Sequence, residues 1–206
     1  RGWRRPDGLP FADRSDDIVS QNLWYASSLD QYGAPLAMDA WFGRKVFSAT
    51  YADGQPHPDR HCNDWSDSST DFRVSGGFAH TTSFKWSKSW SGYCENEASL
   101  YCLGIDYANP IVPKTHEGRT AFVSTAAFQP GDGQTDADAL CALEADAAGL
   151  SGSFLAFLPD RAQQLSVQQR FDTSPNAPIW VRPDGIRIAA TAAGLFTEEL
   201  LAPINL

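Results

Sequence analysis

Two stretches decide how this chain is read: Trp3-Arg4-Arg5-Pro6-Asp7-Gly8-Leu9 and Trp180-Val181-Arg182-Pro183-Asp184-Gly185-Ile186. In each, an apolar lead-in meets Pro-Asp-Gly and leaves on an apolar residue. Proline presets φ for the first turn position and glycine accepts φ > 0, so each copy predicts a β-hairpin or a tight strand bend. The copies are offset by 177 residues without a gap: Ala12 meets Ala189, Leu23 meets Leu200, and Leu29 meets Leu206. Eight of 29 aligned positions are identical, counting the flanking Trp and the later Leu residues. The 206 residues therefore hold one period of 177 and 29 residues of the next, which reads as an array unit cut out of phase.

The totals fit a globular chain between one large domain and two small ones, with 42% hydrophobic residues to build a core. No apolar run approaches the roughly 20 residues needed to cross a bilayer as a helix, so no membrane insertion is expected. Sixteen basic against 25 acidic residues give a net charge of −9, which opposes DNA, RNA, heparin and anionic membranes as partners. Seven Trp, one Met and an even number of Cys suggest a loop-rich extracellular or cell-surface domain. Cys62, Cys94, Cys102 and Cys141 are spaced 32, 8 and 39 apart, which favours two disulfides over a metal site built on close Cys-x2-Cys pairs.

Between the copies of the turn the chain reads in order. The polar run at 13–17 starts a short helix carrying Ile18, Val19, Leu23 and Trp24. Residues 38–43 and 46–51 read as strands, and Asp53-Gly54 as a turn. His57 and His61 are four apart, but Pro58 opposes the helix that would align them on a metal. Asp64, Asp67 and Asp71 are weak calcium candidates without EF-hand spacing. Phe84, Trp86, Trp90 and Tyr93 would share one face of an extended chain, as core or as a platform for sugar rings. Trp86 and Trp90, with Asn63 and Asp64, are the candidate binding residues; Trp41 and Trp65 are assigned to the core. Short strands at Tyr93-Cys94 and 100–104 lead to a linker at 109–118. A strand at 120–125 follows. A helix capped by Thr135 or Asp136 runs to about Ala148, with Leu140, Leu143 and Ala147 on one face. Residues 154–158 read as a buried strand and 161–170 as a further helix.

Several of these pieces resemble known ones. Ala121-Phe122-Val123-Ser124-Thr125, the Cys141 helix and Gly149-Leu150-Ser151-Gly152-Ser153-Phe154-Leu155-Ala156-Phe157-Leu158 are similar to the first half of an endostatin-type domain. Trp41 with Gly43, His61-Cys62-Asn63-Asp64-Trp65 and the pair Cys94 and Cys102 resemble its second half, and bacterial repeat proteins of related C-type-lectin-like architecture share both patterns. The resemblance implies an α+β, disulfide-stapled, C-type-lectin-like fold with its halves reversed: residues 1–108 as the second half, 109–118 as the linker, and 119–206 as the first half, with 178–206 repeating 1–29. It also implies the pairs Cys62–Cys94 and Cys102–Cys141, the latter within one chain or between chains. The family's zinc cluster and basic heparin face do not carry over, because its N-terminal histidines have no counterpart near Arg119 and this chain is acidic.

No Gly-x-Ser-x-Gly, His-Glu-x-x-His or phosphate-loop spacing occurs, so neither an enzyme nor a cofactor is expected. Two readings remain. One is a structural or adhesive module that self-associates head-to-tail with copies of itself or with tandem repeats, as a filament unless rotation closes the assembly. The other is a monomeric lectin-like module that binds glycan or protein.

Overall fold

The computed structural model describes residues 2–36, 44–106, 109–131, 133–197 and 200–204. The chain forms two compact units, Arg1–Lys114 and Thr115–Asn205. Both are mixed α and β, with small sheets and short helices.

The first unit opens with β1 (Trp3–Arg4) and β2 (Pro10–Ala12), an antiparallel pair closed by the Pro-Asp-Gly turn. The following helix, α1 (Ser15–Val19), has only five residues and ends before Leu23, because Gln21 takes φ 67° and turns the chain. Leu23 then packs with Phe11 and Ala12. A four-stranded sheet follows in the order β5 (Trp90–Tyr93), β4 (Arg73–Phe78), β3 (Lys45–Phe47), β6 (Ser99–Leu100). The strand expected at 38–43 lies outside the described residues.

The central strand, β4, holds two glycines for a steric reason. A Cβ on Gly76 would overlap the Val46 carbonyl oxygen, and one on Gly77 would overlap the backbone of Trp86. The close approach lets the Trp90 indole donate to Gly77 O at 2.9 Å. Cys62 and Cys94 form a disulfide with Cα atoms 5.6 Å apart, packed beside Val74. Cys62 opens α2 (Cys62–Trp65), a single left-handed turn with φ of 51–64° at all four residues. The turn sets Trp65 outward, one face near Phe47 and half its surface in solvent, which corrects its assignment to the core.

In the second unit, β7 (Arg119–Thr120) pairs in parallel with β8 (Trp180–Val181). The long helix is α3 (Gln134–Ala147), and its N-cap is Gly133 rather than Thr135 or Asp136. Its buried stripe is also different from the expected one. Ala137 and Ala145 are buried with Cys141 half-buried between them, whereas Leu143 is 69% exposed and Ala147 is exposed. Asp138 explains the choice: it pairs with Arg170 at 2.6 Å and accepts from Ala156 N at 2.8 Å, so small residues face this polar anchor. Residues 154–158 are neither a strand nor buried, and Phe157 is 54% exposed. No described strand flanks them, and Phe157 instead stacks on Phe171 and Phe196. The expected helix at 161–170 is reduced to the 3-10 turn Gln168–Arg170.

Candidate functional site

The chemistry of the duplicated turn is the same in both units. In the first, Arg5 N donates to Leu9 O at 2.8 Å, Gly8 N to Arg5 O at 2.9 Å and Leu9 N to Asp7 Oδ1 at 3.1 Å. In the second, Arg182 N donates to Ile186 O at 2.8 Å, Gly185 N to Arg182 O at 2.9 Å and Ile186 N to Asp184 Oδ1 at 3.1 Å. Gly8 and Gly185 take φ of +85° and +81°, as the turn demands. Each turn closes on a buried arginine: Arg5 pairs with Asp7 at 2.6 Å, and Arg182, 2% exposed, pairs with Asp184. The equivalence extends further, because Arg4 faces Pro10 as Val181 faces Arg187, and Trp24 N donates to Phe11 O as Leu201 N does to Ile188 O.

Burial pushes the Asp184 carboxyl up. The hydrogen bonds from Arg182 and Ile186 N–H, with the Arg182 charge, outweigh it and hold the group below its ordinary value. One difference separates the copies here. Arg5 Nη1 donates to Ala26 O at 3.0 Å, whereas buried Arg182 Nη1 meets no partner among the described residues, its counterpart segment carrying Pro203.

Each unit also carries an open groove. That of the first, about 700 Å³, runs between residues 3–6 and 98–104 over Phe11 and Val46. Its wall includes Leu100, which is 67% exposed on the sheet-edge strand β6. That of the second, about 570 Å³, is lined by Phe122, Phe154, Phe171, Trp180 and Ile204. Cys102 borders the first groove and Cys141 the second, and both are free thiols. Cys102 and Cys141, the second pair implied by resemblance, lie one in each unit and are not joined here. Burial, with Asp138 and Glu144 nearby, raises the Cys141 thiol above its ordinary pKa.

The candidate binding residues do not form a shared platform. Residues 84–86 make a 3-10 turn, which breaks the single extended face expected from Phe84 to Tyr93. Trp86 packs edge-on against Phe11 and beside Tyr101, and Trp90 packs on Phe47 with Lys45 Nζ 4.9 Å above its ring. Asn63 and Asp64 sit exposed on the left-handed turn, where His61 Nδ1 accepts from Asp64 N at 2.9 Å. Asp67 serves a local turn, accepting from Ser69 N at 2.7 Å. Among the described residues no three His, Cys, Asp or Glu side chains converge as metal ligands, so Asp64, Asp67 and Asp71 do not form a calcium cage. Sequence reasoning missed a cleft of about 560 Å³ beside Trp90, where Arg60, Lys85 and Lys88 gather with Phe84 and His57. Those cations are scattered along the chain, and only folding assembles them.

No helix among the described residues is long and apolar enough to cross a membrane. In comparisons with family models, curated proteins and solved structures, the chain has no match.

Proposed function

We propose that this chain is a non-enzymatic, extracellular structural module of C-type-lectin-like type that associates with copies of itself, head to tail, through split domains. The observation that supports this most is the turn element built twice with the same hydrogen bonds, once in each unit. Each unit also has an apolar groove, and leaving large side chains there wet forfeits about 1.5–3 kcal/mol apiece. A neighbouring copy offers the missing cover, in a heterologous contact that propagates unless rotation closes it.

Light scattering over a concentration series tests the proposal. The expected result is mass rising in multiples of 22.5 kDa; a constant monomer mass at every concentration refutes it. A second reading, glycan binding by a monomer, draws on the cleft beside Trp90, where aromatic rings and cations stand together. Its mark is ligand-induced quenching of tryptophan fluorescence that Trp90→Phe abolishes.

A further inference from the structure

We propose that the open edge of β1 in the first unit is a strand-docking site, and that its occupant is the segment 115–121 of a second copy of this chain. This inference rests on the self-association proposed above and specifies its contact.

The second unit shows what this element pairs with. Arg119 N donates to Ile179 O and Ala121 N to Val181 O, both at 2.8 Å, with Thr120 opposite Val181 in parallel register. Arg119 lies 4.0 Å over the Trp180 ring, and His116 N closes onto Gly185 O at 2.9 Å. A Cβ on Gly185 would meet Thr115 at 2.9 Å, so the segment also covers the turn.

The offset of 177 carries these acceptors onto Gly2, Arg4 and Gly8, and the stacked ring onto Trp3. There no strand stands in the place of residues 119–121: among the described residues β1 pairs with β2 alone, the Trp3 indole donates to Gly104 O at 2.8 Å, and nothing lies within 4 Å of a Cβ placed on Gly8. Gly8 O takes instead the Arg4 guanidinium at 3.0 Å, in the position that the His116 amide fills in the second unit. Ile111 packs on Gly2 and closes the N-terminal end, so the pair Arg4 and Thr120 sets the docking register. The groove along residues 3–6 supplies the room.

Within one chain the segment already pairs with residues 179–181. On a neighbour's β1 the segment would pair at Arg4 and gain further acceptors where the Arg4 guanidinium releases Gly8 O, while it covers Leu100 and the groove by strand addition to an open sheet edge.

The experiment titrates the intact chain into a fluorescent peptide of residues 115–125 and follows anisotropy, with amide hydrogen exchange to locate the contact. The expected result is saturable binding that Arg4→Ala does not weaken, since it frees Gly8 O for the His116 amide, and that Arg4→Pro weakens by about tenfold or more, because proline removes the edge donor. The Arg4 amide should exchange about tenfold more slowly at saturation. Should Arg4→Pro fail to fold, a peptide carrying Ala121→Pro decides on the unaltered chain, and it should bind about tenfold more weakly. Equal binding by the proline variants, or protection of residues 179–181 in place of Arg4, overturns the proposal. Light scattering separates two failures. Oligomers without peptide binding overturn the β1 edge and keep self-association; a strictly monomeric chain overturns self-association, and with it a second copy as the occupant.

Discussion

Replacing Gly77 with alanine should cost the first unit about 2–3 kcal/mol. A Cβ there would overlap the Trp86 carbonyl and stand 2.5 Å from Ser87 N. Both are backbone, so no rotamer relieves the contact, and β4 must move away from residues 86–87 by roughly 1.5 Å or more to reach ordinary van der Waals separation. Overpacking of this kind costs about 1–3 kcal/mol, occasionally more, and loss of the Trp90 hydrogen bond to Gly77 O adds to it. Stiffening of the unfolded chain by alanine returns about 0.4–1 kcal/mol. Urea denaturation followed by tryptophan fluorescence measures the balance, since Trp86 and Trp90 flank the site. Gly104→Ala is the control: its Cβ meets nothing within 4 Å and its φ is not positive, so the change should be neutral or slightly stabilising. Equal unfolding midpoints for the two variants would refute the packing argument.

Three further outcomes are expected. Reducing Cys62–Cys94, which spans 32 residues, should destabilise the first unit by about 3–4 kcal/mol while the second unit melts unchanged; calorimetry with and without reductant reads both. Alkylation of the native monomeric chain should modify Cys102 and Cys141 and spare Cys62 and Cys94, with Cys141 reacting more slowly than a model thiol at pH 8 because its pKa is raised. For Asp184, the folded-state pKa is depressed, so its contribution to stability is present above the ordinary carboxylate range and is lost as pH falls through the lower folded value. Asp184→Asn should therefore lower the melting temperature of the second unit at pH 6 and lose that effect progressively below about pH 4.

The parts of the fold legible in the sequence are those fixed by local chemistry. Pro-Asp-Gly determines its turn wherever it occurs, and Asp53-Gly54 does the same, with Gly54 N donating to Tyr51 O at 3.0 Å. What escaped was set by neighbours. Strand β4 carries Gly76-Gly77, poor strand formers in isolation, yet only glycine permits the approach of Val46 and Trp86 on either side. Residues 154–158 have the composition of a core strand, but among the described residues no adjacent strand receives them, so composition alone misplaced them. The face of α3 turned on Asp138 and Arg170, a pair 32 residues apart that no helical periodicity reveals. The candidate site divides in the same way: the duplicated turn was visible as text, whereas the grooves and the basic cleft beside Trp90 exist only once distant segments meet.

The left-handed turn at Cys62–Trp65 bears on how the disulfide is made during oxidative folding. Four consecutive left-handed residues are unfavourable in isolation, by about 1–2 kcal/mol each, so this turn cannot serve as a folding nucleus. It is held by later contacts, the bridge of His61 to Val74 and the Ser75 amide on Arg60 O, which need β4 in place. Until then the four thiols sort by chain entropy. A loop of 8 residues between Cys94 and Cys102 closes more easily than one of 32, by about 1.2 kcal/mol or roughly eightfold. An unfolded chain meeting an oxidant should therefore populate Cys94–Cys102 first, and reach Cys62–Cys94 only by thiol–disulfide exchange after the sheet has formed. The free thiol at Cys102 is then the leaving group when Cys62 attacks Cys94, and the unpaired cysteine gives the chain an internal route from its first bond to its native one.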